Sequence, residues 1–326
     1  MALRQRERRV LLLGGSGFVG RKLAAALRRH GYDVRVPTRN RAHGRRLLVL
    51  PEVELVQADV HHEATLARLL HGCEAAINLV GIVNEPRRDG SGFERVHVEL
   101  AAKLVRACGT AGVRRLLQMS ALKADAERAP SHYLRSKGKA ERILAGSNLD
   151  YTIFRPSLIF GAEDSFTNRF AGLLRRLPVL PLPRPEARFA PVFVDDVAAT
   201  FIAALGDSRT YGATYELCGP DVYSLLEIVR WLRDLLGLKR AILPLPDGLG
   251  RLQARLAEYL PGKPMSLDNF ASLGVASVCD GSAAPPFGSP RRRLVDIVPT
   301  YLGGAGTGAT ERLEERLARL RRSARR

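Results

Sequence analysis

Tyr133 and Lys137 are the side chains best placed by sequence to do chemistry. They stand four apart in Tyr133-Leu134-Arg135-Ser136-Lys137, and on a helix that spacing projects both from one face, one turn apart. A tyrosine titrating at about 10 is a poor base at neutral pH, but a cation one turn away favours its anion. The pair can then relay a proton while a hydride moves, and the lysine can also reach the ribose hydroxyls of a nucleotide. Alone, the pattern is equally that of a surface tyrosine with a lysine lying over it. Position changes its meaning: it follows Met119-Ser120-Ala121-Leu122, where an apolar run ends in a hydroxyl, and a glycine-rich stretch lies far upstream. Ser120 is therefore the third candidate catalytic residue.

The upstream stretch is Val10-Leu-Leu-Leu-Gly14-Gly-Ser16-Gly17-Phe18-Val19-Gly20. Four apolar residues read as a strand buried on both faces, and the amphipathic run after the glycines stops at Gly31. Glycines at a strand-to-helix turn let a pyrophosphate rest on bare N–H groups where the helix end favours an anion. Gly14, Ser16, Gly17, Phe18, Val19 and Gly20 are thus candidate dinucleotide-binding residues; the bland alternative is a tight connection in some other α/β protein. At the next corner, Thr38-Arg39-Asn40-Arg41 offers two arginines and no carboxylate. An acidic residue there takes a ribose 2′-hydroxyl and an arginine accommodates a 2′-phosphate, so the expectation is NADP(H) over NAD(H), with Arg39 on the phosphate. Asp59, followed by Val60, is placed to meet the adenine amino group or to cap a helix starting near Ala64. Val80 and Gly81 end a further strand, where a glycine lets the chain pass close to a cofactor.

These residues need a scaffold that brings strand ends together. Strands are expected at Val10–Leu13, Asp33–Pro37, Val53–Val56, Ala75–Val80, Arg114–Met119 and Tyr151–Phe154, with helices at 64–70, 93–111 and 133–145. Strands alternating with helices of that length imply right-handed crossovers and a Rossmann-type, doubly wound parallel α/β sheet. Ligands on such sheets sit beyond the carboxyl ends of the strands, where Gly14, Asp59, Gly81 and Ser120 all fall. The expected organisation is a dinucleotide-binding domain over 1–160, with 191–218 returning to the sheet. A smaller interleaved lobe takes 161–190 and 219–305, with helices at 225–236 and 249–260, and a basic helical tail takes 306–326.

Taken in order, the glycine turn, Asn78-Leu79-Val80-Gly81, Met119-Ser120-Ala121, the Tyr133/Lys137 pair, Arg155-Pro156-Ser157-Leu158-Ile159-Phe160-Gly161 and Phe193-Val194-Asp195-Asp196-Val197 resemble the extended short-chain dehydrogenases/reductases. More narrowly, the set is similar to the atypical branch that contains the NAD(P)H-binding accessory subunit of respiratory complex I and its bacterial relatives. The resemblance implies that the backbone after Pro156 lies along the nicotinamide, which adds Pro156 and Ile159 to the cofactor-binding residues. It matches Asp196 to a fixed family position, read here as a helix cap. Two positions depart from the pattern. Where sugar-nucleotide epimerases and dehydratases carry a substrate-polarising hydroxyl two places past Ser120, this chain has Leu122, and the family's Asn on the long helix is His97 here. The branch implies firm NADPH binding, often structural, by an accessory or assembly factor of complex I or quinone metabolism with weak or no turnover. The alternative is an active NADP-dependent oxidoreductase, or a nucleotide-sugar epimerase or dehydratase, working through Tyr133 and Lys137.

Bulk composition bounds the partners. Lys and Arg total 51 against 33 Asp and Glu, a net charge of +18. Such a field attracts polyanions, whether nucleic acid, an anionic membrane surface or a phosphorylated ligand; the arginines are scattered and no nucleic-acid-binding motif accompanies them, which makes nucleic acid the least favoured partner and is equally the pattern of an Arg-rich solvated surface. In the tail from Thr310, arginines clustered with leucines fit a basic amphipathic helix on an anionic membrane, and the short apolar stripe fits a solvated or lobe-packed helix equally. The four cysteines, Cys73, Cys108, Cys218 and Cys279, lack metal or redox spacing and read as thiols in a reducing compartment. With no apolar run of about 18 residues, the expected location is cytoplasmic or peripheral on the inner face of a membrane.

Overall fold

The computed structural model describes residues 8–85, 87–260, 265–281, 283–288, 291–303 and 315 of the 326-residue chain. The chain divides into two compact units: Met1–Ser157 with Val194–Leu217 and Cys279–Pro290, and Leu158–Phe193 with Cys218–Val278 and Arg291–Arg326.

The first unit is built on β1, Arg9–Leu13, whose Val10, Leu11, Leu12 and Leu13 are fully buried. A strand apolar on both faces belongs in the middle of a parallel sheet, and β1 lies between β2 (Asp33–Thr38) and β4 (Ala75–Asn78). With β3 (Val53–Gln57), β5 (Arg115–Met119), β6 (Asp150–Pro156) and the edge strand Ala213–Leu217, the order across seven strands is Ala213–Leu217, β6, β5, β4, β1, β2, β3, every pair parallel. The order reverses beside β1, which opens the crevice in which such sheets bind ligands. Alternation sends Leu11 and Leu13 to one face, into a core shared with α2 (Glu63–Leu70), α4 (Leu100–Ala111) and α5 (His132–Ala145) through Leu66, Leu104 and Leu144. On the unit's other helical layer, α1 (Phe18–Arg29) packs against the helix Val194–Leu205. Buried Arg115 ties that helix to the sheet, donating to the carbonyls of Ala204 at 2.6 Å and Leu205 at 3.2 Å.

Several expectations are corrected here. The helix expected over 93–111 is divided into a short α3 (Ser91–Phe93), a π-helical turn Glu94–Glu99 and α4, because His97 is drawn inward in mid-helix. Asp196 lies inside the first turn of Val194–Leu205 and not ahead of it, so it is no N-cap. Cys218 and Cys279 are disulfide-bonded, whereas Cys73 and Cys108 are free thiols. The thiol reading therefore holds for Cys73 and Cys108 and fails for Cys218 and Cys279. No helix among the described residues is long and apolar enough to cross a membrane. The tail helix expected from Thr310 lies outside the described residues, apart from Glu315.

The second unit contains a parallel two-stranded ribbon, Val179–Pro183 with Ala241–Leu245, and helices Ser165–Arg176, Leu225–Leu235, Asp247–Ala257 and Leu267–Ser272. Caps set the starts: Asp164 accepts from the Thr167 N–H at 2.6 Å, and Ser224 and Glu227 form a reciprocal capping box.

Candidate functional site

The glycine turn leaves its amides open. Gly14 has φ of +77°, and a Cβ on it would meet the Leu79 carbonyl carbon at 3.0 Å, so only glycine fits both the backbone angle and the close approach of β4. The Gly17 N–H donates to the Gly14 carbonyl at 3.0 Å, and Gly17 then caps α1 with no side-chain hydrogen bond and no acidic residue in the first turn. Phe18 and Val19 form that turn, half-buried, while the Ser16 carbonyl accepts from Arg21 Nη1 at 2.6 Å. Gly20 seats the helix against the loop, because a Cβ there would fall 2.2 Å from the Gly14 carbonyl oxygen. An oxyanion can take the first-turn N–H groups without displacing any side chain.

Beside it lie the corners after β2 and β3. The Thr38 hydroxyl donates to the Asn40 carbonyl at 3.0 Å, Asn40 caps the next turn through the Ala42 N–H at 2.9 Å, and Arg39 is exposed. Asp59 accepts the His61 N–H at 2.9 Å. That bond, helped by the charges of His61, His62 and Arg39, holds the carboxyl below the usual range. Arg39 thus lies within electrostatic reach of Asp59, and Val60 is half-buried. The N-cap of α2 is His62, so the capping role considered for Asp59 does not hold. His61 went unremarked in the sequence: burial lowers its pKa, and its buried Nδ1 has no hydrogen-bond partner among the described residues.

At the ends of β4 and β5 a polar chain is assembled. The Ile82 N–H donates to His97 Nε2 at 3.1 Å, so Nε2 is the unprotonated nitrogen and Nδ1 carries the hydrogen. Nδ1 then donates to Ser136 Oγ at 2.7 Å, and Ser136 donates to the Tyr133 carbonyl at 2.8 Å, one turn back on α5. Burial, reinforced by the Lys137 charge, pushes His97 down to about 2, which keeps the ring neutral. Lys137 Nζ donates to the Met119 carbonyl at 3.2 Å, and burial pushes its ammonium down to about 8 against the pull of Glu141. A Cβ on Gly81 would stand 3.0 Å from Lys137 Nζ and 3.4 Å from His97 Nε2, so bare backbone is what leaves room for both. Tyr133 is half-buried, edge-on to Phe93 at 6.0 Å and to His97 at 5.7 Å between ring centroids.

The described residues therefore bring Gly81, His97, Tyr133 and Lys137 to one place. Ser120 sits at the same strand ends, and its Oγ is buried without a hydrogen-bond partner among them. Val80 is held by its N–H to Asn78 Oδ1 at 3.1 Å, and buried Pro156 accepts the Leu122 N–H at 3.1 Å. Leu122 itself is buried. Ile159 belongs to the second unit, in the short strand Ile159–Phe160 paired with Val192–Phe193. An orphaned hydroxyl, an ammonium bonded to one carbonyl and a helix start without side-chain caps are what a nucleotide carrying a diphosphate and two ribose groups would satisfy.

An NAD(P)H-binding family profile matches residues 14–173. Complex I alpha subcomplex subunit 9 of Arabidopsis thaliana mitochondria is 31% identical over 303 residues, 90% of this chain and 75% of that protein. The chain belongs to the NAD(P)H-binding short-chain dehydrogenase/reductase family. Another relative in this family is a ceramide reductase from Caulobacter vibrioides, 32% identical over 73% of this chain and 74% of its own length. Solved structures agree on the family fold: a dTDP-glucose 4,6-dehydratase from Streptomyces venezuelae, with NAD bound, superposes with a TM-score of 0.66 over 74% of this chain and 85% of its own at 23% identity. A UDP-glucose 4-epimerase from Thermus thermophilus gives 0.62 over 80% and 98% at 20%. As a family member, the chain is an NAD(P)H-binding protein.

Proposed function

We propose that this protein holds NADPH as a tightly bound ligand and serves as an accessory or assembly factor of a membrane-bound respiratory complex or of quinone metabolism, with little turnover. The observation that carries the reading is Leu122: a buried aliphatic side chain stands where the enzymes of the family place the hydroxyl that polarises a substrate. The complex I relative supports the same assignment. A nicotinamide dinucleotide supplies a hydride donor or acceptor when bound. In this chain the first-turn amides of α1 would carry its pyrophosphate, Arg39 a 2′-phosphate, Asp59 the adenine end, and Lys137 the ribose hydroxyls. The net charge of +18 supports a place beside an anionic membrane.

A second reading, an NADP-dependent reductase or epimerase, is favoured by the retained Tyr133/Lys137 pair and by the ceramide reductase relative. Following the nucleotide in the purified protein separates the two. Under the first reading NADPH co-purifies and is neither oxidised nor exchanged over hours with carbonyl substrates. A turnover that Tyr133→Phe abolishes overturns it. Arg39→Ala should weaken NADPH by about tenfold or more while sparing NADH, since one charge-assisted phosphate contact is removed; equal affinities for NADPH before and after the change remove Arg39 from the site.

A further inference from the structure

The helix Asp247–Ala257 is inside out by the usual standard for a water-facing helix. Its buried residues are Gly250, Ala254 and Ala257, and a Cβ on Gly250 would lie 2.9 Å from Pro183 and 3.0 Å from Phe270, so the helix packs closely through its small side. Its large apolar residues point away: Leu249, Leu252, Leu256, Tyr259 and Leu260 are 52–68% exposed. At 3.6 residues per turn the three leucines of the helix fall within an arc of about 60°, and Tyr259 and Leu260 continue the stripe past its last turn. Arg251 and Arg255, both exposed, run along one flank. The acids of the helix are otherwise engaged: Asp247 pairs with Arg184 at 3.0 Å, and buried Glu258 accepts the Leu267 N–H at 2.9 Å. The adjoining ribbon, Val179–Pro183 with Ala241–Leu245, lies against the small side of the helix. Val179, Pro181 and Pro183 alternate onto the face that meets Gly250, their partners Ala241, Leu243 and Leu245 share it, and Val179 and Leu243 are half-exposed.

Exposed leucines gathered in one stripe need a cover. A second copy of the chain is disfavoured by charge, because an isologous contact would bring two arginine-bearing faces together in a molecule already at +18. An anionic lipid surface satisfies both parts of the face, taking the leucines among its acyl chains and the arginines at its headgroups. We propose that the helix Asp247–Ala257 is a membrane-docking element that lies flat in an anionic bilayer surface, Leu249, Leu252 and Leu256 downward. This deepens the membrane-side placement proposed above and is independent of the dinucleotide assignment.

The test is co-flotation of the full-length protein with vesicles of phosphatidylcholine containing about one-third phosphatidylglycerol, beside vesicles of phosphatidylcholine alone. The protein should float with the anionic vesicles, and raising salt to about 0.5 M should weaken binding several-fold. Leu252→Ser/Leu256→Ser should lower partitioning about tenfold or more, and Arg251→Gln/Arg255→Gln should flatten the salt dependence. All four positions are exposed, so the variants should keep the wild-type melting temperature. NADPH titration of the same variants reads the cofactor site separately. If the leucine variant floats as the wild type does, the helix is not the docking element even if the protein is membrane-bound. If the wild type does not float, or if the leucine substitutions change only the oligomeric state, a lipid partner is ruled out.

Discussion

Gly20→Ala tests the link between packing and binding at the first turn. The added Cβ would lie 2.2 Å from the Gly14 carbonyl oxygen, 2.5 Å from Gly15 Cα and 2.7 Å from the Gly15 carbonyl carbon. All three are backbone atoms, so no side chain can turn aside. Relief to ordinary contact, about 3.5 Å, requires α1 and the glycine loop to part by about 1 Å. Overpacking of that kind costs roughly 1–3 kcal/mol, or a fall of about 2–10 °C in melting temperature for a unit of this size. The same displacement spreads the amides offered to a pyrophosphate, and losing one charge-assisted bond of about 1.5–3 kcal/mol weakens the nucleotide at least tenfold. Gly109, in α4, is the control: a Cβ there meets nothing within 4 Å, so Gly109→Ala should stabilise by about 0.5–1 kcal/mol and leave binding alone. Thermal unfolding with and without NADPH, and titration by NADPH fluorescence, read both effects. A Gly20→Ala protein that melts and binds like its parent would refute the reasoning.

Two further outcomes follow from the buried titratable groups. Lys137 has its pKa lowered from 10.5 to about 8, so between those values the unfolded chain binds more protons than the native one, and stability of the nucleotide-free protein should rise with pH across that window. Lys137→Met should remove the slope and stabilise the nucleotide-free protein at neutral pH by up to about 3 kcal/mol while weakening the dinucleotide, as followed by urea unfolding and titration. A variant that is less stable and still pH-dependent would show that burial does not penalise the ammonium. His97, lowered from 6.5 to about 2, takes up a proton on unfolding as pH falls below 6.5, so it should contribute stability that is lost progressively toward acid. His97→Asn should flatten urea-unfolding stability between pH 6.5 and 4, and an unchanged acid limb would deny the buried neutral ring.

Most of the sheet was legible because β1 through β6 carry apolar runs ended by turn residues, and their strand ends carry the candidate site residues. The edge strand Ala213–Leu217 falls within the stretch 191–218 expected to return to the sheet, but four of its five residues are only half-buried, so no apolar run marks it as a strand and only pairing with β6 makes it one. The turn of π-helix could not be read because sequence periodicity does not show that Ile82 will reach back for His97 Nε2. The leucines near 249–260 suggested a helix, but the pattern alone favours burying them; Gly250 and Ala254 take the inner face because small residues allow the closer approach to Pro183 and Phe270. Ser120 and Lys137 were found by type and spacing, whereas the orphaned hydroxyl and the depressed ammonium belong to the folded environment.

The account rests most directly on whether a nicotinamide dinucleotide binds at the turn from Gly14 to Gly20. Calorimetric titration of the purified, nucleotide-free chain with NADPH and NADH decides it. Saturable binding to one site per chain, lost or much weakened in Gly20→Ala, is the predicted result. No heat with either nucleotide, or binding indifferent to Gly20→Ala, would contradict it.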